Sequence, residues 1–217
     1  GGLLRVCMMG STPILEDDYF RYSWDGAVTS HGYDPYAFSP GEVTAGDAAR
    51  VPEGLRALAK DGGAVVARVN HASLRTLYPP IAQGAFALAH RLAPWHLAGL
   101  RAVWSVCDLA VLVLLAVWLR TCDLPAMRSM VYWWNPLLVK EGFNSAHMDV
   151  LVLPLVLAAL MLTSRRRPVW AGGMLALAAG AKVWPVLLLP LVVRAAARSP
   201  LVSRPPATSV TTAATAS

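Results

Sequence analysis

AGLRAVWSVCDLAVLVLLAVWL, residues 98–119, is a run of 22 residues in which only Arg101 and Asp108 are charged. As an α-helix it covers about 33 Å, enough to cross the hydrocarbon core of a bilayer. A carboxylate inside such a span is costly unless a donor or water meets it, so Asp108 is read as needing a partner. The stretch sets the class: an all-α, multi-span transmembrane protein.

Composition agrees. Hydrophobic residues make up 56% of the 217 and charged residues 15%, with a mean hydropathy of +0.47, outside the range of an ordinary soluble core. The net charge of +6 raises the question of nucleic acid. The basic residues sit at the ends of apolar runs rather than on one polar face, so no nucleic-acid partner is expected. Nine of the thirteen acids precede Pro79, as expected when a water-exposed loop is followed by spans with cationic flanks. Cys7, Cys107 and Cys122 are odd in number and widely spaced, and spell neither a disulfide framework nor a metal motif. The chain opens on Gly-Gly without a signal peptide, and residues 3–15 read as the tail of a preceding span.

Toward the C-terminus, residues 127–139 are too few for a crossing and contain Trp133, Trp134, Asn135 and Pro136, which predicts a half-helix or re-entrant piece. A polar island, residues 140–149, follows. Residues 150–162 lead to Arg165-Arg166-Arg167, which the positive-inside rule assigns to the cytoplasm, leaving the island outside. A re-entrant 127–139 then places the acidic loop outside too, with Arg91 and Arg101 inside. Residues 169–193, carrying Lys182 and Pro185, read as the last span. Beyond Ser199 a Ser/Thr/Ala/Pro-rich tail reads as disordered.

Toward the N-terminus, residues 81–93 form a marginal span. Before it, residues 16–80 are too long for a plain connection and contain amphipathic helices, which predicts a functional loop on the membrane surface. One helix is expected after Thr12-Pro13, with Gly32 as its stop. On it Asp18, Arg21, Tyr22 and Asp25 share a face, while Phe20, Trp24, Ala27 and Val28 form another. The bland alternative is a surface helix whose Asp17/Arg21 and Arg21/Asp25 pairs are solvated. A second helix, 52–60, is expected to end at Gly62-Gly63 and to have an apolar edge of Leu55, Leu58 and Ala59. The organisation is thus a lead-in (1–15), an extracytoplasmic loop (16–80), a transmembrane region (81–193) and a tail (199–217).

Glu16-Asp17-Asp18, Arg21-Tyr22, Trp24-Asp25-Gly26, Asp34-Pro35-Tyr36, Leu77-Tyr78-Pro79-Pro80, Trp134-Asn135-Pro136 and Lys182-Val183-Trp184-Pro185 together resemble the GT-C glycosyltransferases. The likeness is closest to the bacterial polyprenyl-phosphate-mannose-dependent branch, and weaker to the first mannosyltransferase of glycosylphosphatidylinositol assembly. The resemblance implies transfer of a hexose, foremost mannose, from a polyprenyl phosphate to an extracytoplasmic lipid or glycan, with inversion. It implies an integral protein of the bacterial inner membrane, its site facing outward. In that pattern Asp18 aligns as the base, Asp17 is its rival, and Glu16 with Asp18 resembles a DxD-type pair. Glu at that first place departs from the family's pattern and leaves open which acid acts.

The chemistry needs a carboxylate to take the acceptor's proton and donors or cations to steady the departing phosphate. Arg21, Tyr22, Arg75, Lys140, His147 and Lys182 are the substrate-binding candidates, and Lys182, in an apolar run, either serves this role or snorkels to the interface. Tyr78, Trp133 and Trp134 are expected at the membrane interface. His147, Asp149 and Asn144 lack a convincing metal set, so neither metal nor cofactor is assigned and the lipid-linked sugar is a co-substrate. The competing readings are a transporter or lipid flippase coupled through Asp108 and Lys182, and an inactive fragment without its first span and C-terminal part. Acids clustered in a loop rather than at mid-membrane favour the enzyme.

Overall fold

The computed structural model describes residues 1–14, 16–45 and 50–197; the tail read at 199–217 lies outside them. Among the described residues every regular element is a helix. The longest is α6, Leu97–Thr121, numbered in chain order, and it is the one helix here long and apolar enough to cross a membrane. Its side chains Val106, Leu109, Val113 and Val117 are exposed at helical spacing on one side. An apolar stripe that no protein covers fits lipid, not the core of a soluble domain.

The polar contacts of α6 order the other elements along it. Helix α1, Gly2–Met9, runs antiparallel: Arg5 pairs with Asp108 through Nε at 2.6 Å, and the Met9 and Ser11 carbonyls accept from Arg101. Asp108 also accepts from the Tyr132 hydroxyl at 2.7 Å, so its expected partners are found. Residues 126–144 then climb back along α6 as a series of broken turns: a 3-10 turn Ala126–Ser129, short helices α7 (Met130–Trp133) and α8 (Pro136–Val139), and a π-turn Lys140–Asn144. Tyr132 lies at the level of Asp108, whereas Phe143 and Asn144 offer their carbonyls to Arg101.

This segment therefore traverses the height of α6 and does not enter and leave on one face as the sequence suggested. Pro136 and the Asn135 cap interrupt the helix without turning the chain back. The consequence is a correction of topology. Arg101 lies at the end that holds the polar island, not at the opposite one. Arg91 reaches the Ser30 carbonyl at the same end.

Helix α9, Asp149–Ser164, runs parallel to α6, with Leu157 and Met161 packed on Val111. Arg165–Arg167 make the turn, and α10, Pro168–Ala181, returns. The span expected over 169–193 is not one helix: Lys182 is extended, Trp184–Leu188 is a 3-10 turn, and α11, Leu189–Ala197, doubles back so that Val192 packs on Ala171 and Leu175. Pro185 at the start of the turn suits that break. Lys182 thus caps a hairpin at the end where α9 begins.

On this end sits a helical layer made of α2 (Asp18–Ser30), α3 (Pro40–Ala45), α4 (Glu53–Ala67) and α5 (Pro80–Leu92). The helix expected after Thr12-Pro13 begins only at Asp18, with Asp17 as its N-cap, because Arg101 and Asn144 hold residues 9–12 through their carbonyls. Its apolar face buries Trp24, Ala27 and Val28 against Leu55, Leu58 and Ala59 of α4. Its other face packs on α5, and at Gly26 a Cβ would collide with the Phe86 carbonyl, so the crossing requires glycine. Helix α4 runs past Lys60, kinking at Gly63 with φ +40°, where the sequence suggested a stop. α5, the marginal span, buries Gln83 and Phe86, and its main packing partner is α2.

Candidate active site

The polar face expected on α2 divides in two. Arg21 and Asp25 form an ion pair, Nε to Oδ1 at 3.0 Å, with side chains 7% and 1% exposed, so the pair is buried rather than solvated. Thr76 and Gln83 also donate to Asp25, and Arg21 Nη1 donates to the Leu74 carbonyl at 2.9 Å. These bonds latch the segment 74–83 onto α2. Arg21 Nη2 is buried without a partner among the described residues.

The helix tip is different. Asp18 is half-buried and Asp17 exposed. Asn70 Nδ2 donates to Oδ1 of both at 2.8 Å, so one amide holds the two acids together. The Tyr22 hydroxyl stands 3.4 Å from the other Asp18 oxygen. Tyr22 itself is buried, stacked on Phe86 and edge-on to Tyr78. Burial raises the Tyr22 hydroxyl above its ordinary range and pushes Tyr78 up to about 12, so both stay protonated at neutral pH and can donate.

Two clefts open beside the tip. One, of about 100 Å³, is lined by Asp18, Arg21, Asn70, Arg75 and Tyr78, with Leu74 and Leu77 at its rim. The other, of about 420 Å³, is lined by Glu16, Glu141, His147 and Asp149 together with Leu137, Leu138, Gly142, Val150 and Leu153. Asp149 is the hub there: Lys182 Nζ donates to Oδ1 at 2.7 Å and His147 Nδ1 lies 2.8 Å from Oδ2. The hydrogen bond to Asp149 raises His147 above its ordinary pKa against the opposing effect of burial. Once His147 is protonated, two cations share one carboxylate.

The fold therefore gathers most of the sequence candidates at one end of the bundle. Asp18, Arg21 and Arg75 meet in the smaller cleft, and Glu16 and His147 in the larger, with Lys182 behind Asp149. Arg75 is an exposed partner of Glu42 at 3.3 Å, and Lys140 pairs with Glu141 at 2.8 Å. Trp133 lies under the Arg5 guanidinium, and Trp134 is exposed. Sequence reasoning missed Asn70, which no motif marks, and the hub role of Asp149, whose only signal was its spacing from His147.

A family model described as Glycosyltransferase family 87 matches residues 76–217. The chain belongs to glycosyltransferase family 87. No curated protein and no solved structure matches it. Membership makes the protein a membrane-associated glycosyltransferase. The family 87 match starts at Thr76, so the acids at 16–18 lie before it. They meet the matched part in space, through Tyr22 and Tyr78 and through the cleft that Glu16 shares with His147 and Asp149.

Proposed function

We propose that this family 87 glycosyltransferase moves a hexose, with mannose the first candidate, from a polyprenyl-phosphate donor to a lipid or glycan acceptor, inverting the anomeric centre. The observation that carries this reading is the larger cleft, whose lining combines Leu137, Leu138, Val150 and Leu153 with Glu16, Glu141, His147 and Asp149. A polyprenyl chain is apolar and its phosphate anionic, and the cleft offers surface for both.

Asp18 takes the proton of the acceptor hydroxyl as that oxygen bonds to the anomeric carbon. The bond from that carbon to the phosphate oxygen breaks, and the electron pair leaves with the polyprenyl phosphate. His147 and Lys182, shared by Asp149, meet the growing charge on the leaving oxygen, where fixed cations lower the barrier most. Asp17 remains the rival base, since Asn70 holds it equally. With Arg165–Arg167 in the cytoplasm, the site faces the extracytoplasmic side of the bacterial inner membrane.

The test is transfer from radiolabelled polyprenyl-phosphate-mannose by the purified protein in lipid, with product anomer read by NMR. Turnover with that donor and a configuration opposite to the donor's supports the reading. Activity only with a nucleotide sugar, or retention, overturns it. His71→Cys in a background with Cys7, Cys107 and Cys122 replaced by serine, labelled by a membrane-impermeant maleimide in intact spheroplasts, reports the orientation. Protection from the reagent there, with labelling after lysis, overturns the outward-facing site.

A further inference from the structure

The larger cleft can take the donor, which leaves the smaller one without an assigned occupant. An in-line displacement with inversion requires the nucleophile and the leaving group to approach the anomeric carbon from opposite sides. Asp18 lines the smaller cleft and Glu16 the larger, so the two open on separate lining sets around one helix tip. Arg21 lines the smaller cleft, its side chain is only 7% exposed, and its buried Nη2 has no partner among the described residues. A buried donor left unpaired is costly, and a ligand that accepts from it removes that cost.

The local charges say what kind of ligand. Arg21 is neutralised by Asp25 and Arg75 by Glu42, while Asp17 and Asp18 stand at the edge of the cleft. Among the described residues an added anion would meet only paired guanidiniums, the His71 imidazole and a nearby carboxylate pair, whereas at Asp149 two basic groups, His147 and Lys182, share one carboxylate. A neutral polyol finds complementary partners: Asp18, held in place by Asn70, to accept one hydroxyl proton, Arg21 Nη2 to donate, and the exposed Leu74 and Leu77 to cover an apolar ring face or lipid stem.

We propose that the cleft between the α2 tip and residues 70–78 is the acceptor subsite, taking the neutral hydroxylated sugar of an amphiphilic acceptor, with Arg21 Nη2 orienting its hydroxyl toward Asp18. This rests on the transferase reading, and it separates the acceptor from the donor in space. Asn70 positions the base; Arg21 touches the acceptor.

The experiment is saturation-transfer NMR on the full chain in nanodiscs, with octyl α-mannoside as the acceptor probe, octyl phosphate as its anionic counterpart and a short polyprenyl phosphate as the donor-side probe. Asn70→Ala and Arg21→Lys should each weaken octyl α-mannoside about tenfold and leave the polyprenyl phosphate signal unchanged. His147→Ala should do the reverse. Asn70 is half-exposed at the surface, so its variant keeps the test open if Arg21→Lys does not fold. Octyl phosphate binding as well as the mannoside, or a mannoside signal lost in His147→Ala and kept in Asn70→Ala, overturns the assignment.

Transfer kinetics give the second arm: Asn70→Ala should raise the acceptor KM several-fold with the donor KM unchanged. Absence of any transfer with intact mannoside binding rejects the reaction and keeps the sugar site. Transfer with equal rises in both KM values rejects the acceptor subsite and keeps the reaction.

Discussion

Asp18 and Asp25 lie two turns apart on one face of α2, and the protein employs them in opposite ways. Asp25 is 1% exposed and takes bonds from Arg21, Thr76 and Gln83, so its charge is spent on fastening the segment 74–83. Asp18 sits at the helix start with one firm donor, Asn70, and a cleft in front of it. The same residue type on the same stripe is structural where neighbours saturate it and available where they do not. Asp108 follows the first pattern, with Arg5 and Tyr132 around it, which removes it as the free coupling carboxylate a transporter would need.

That contrast can be broken most directly at the tip. Asp18→Asn should cut transfer about 10²- to 10⁴-fold, the usual contribution of a general base, while the unfolding midpoint in detergent stays put. A mutant that turns over normally moves the base to Asp17 or Glu16. Asp25→Ala should do the reverse, leaving Arg21 buried and uncompensated at a cost of about 3–5 kcal/mol, read as a lowered midpoint and poor recovery from the membrane.

The hub gives a smaller, pH-dependent effect. The hydrogen bond to Asp149 raises His147 above its ordinary value, so it holds its proton to higher pH than a free imidazole and loses it as pH rises through the raised folded value. Turnover should therefore fall as pH rises through that value. Asp149→Asn should move that limb to lower pH and slow turnover about tenfold by misplacing Lys182 and His147. A profile that keeps its alkaline limb in the mutant assigns the limb to another group. The smallest effect is expected from Thr76→Val, which removes one donor to Asp25 and should cost about 1–2 kcal/mol of stability with no loss of turnover in the folded fraction.

The all-helical class and the long span were legible in the sequence because an uninterrupted apolar run of that length has few other solutions. The two faces of α2 were legible from their spacing, down to Trp24, Ala27 and Val28 against α4. What periodicity could not tell is which charges of a polar face are covered, since that depends on Thr76 and Gln83, far along the chain. The climb of residues 126–144 escaped for a related reason. A length rule written for intact helices discounts a crossing assembled from short turns, and here Arg101 and Asp108 supply partners along the way. The site's acids were legible as a cluster, whereas Asn70 and Asp149 acquire their roles only from contacts 52 and 33 residues away in sequence.

Arg101 binds carbonyls at both ends of the chain's itinerary, Met9 and Ser11 on one side and Phe143 and Asn144 on the other. Asn144 adds a bond to Ser11 across 133 positions. During synthesis the stretch leading into the acidic tip therefore waits for partners that leave the ribosome much later. Insertion of α6 precedes completion of this knot, and a nascent chain halted before Phe143 should be membrane-bound with Ser11 and Thr12 still lacking the Asn144 amide.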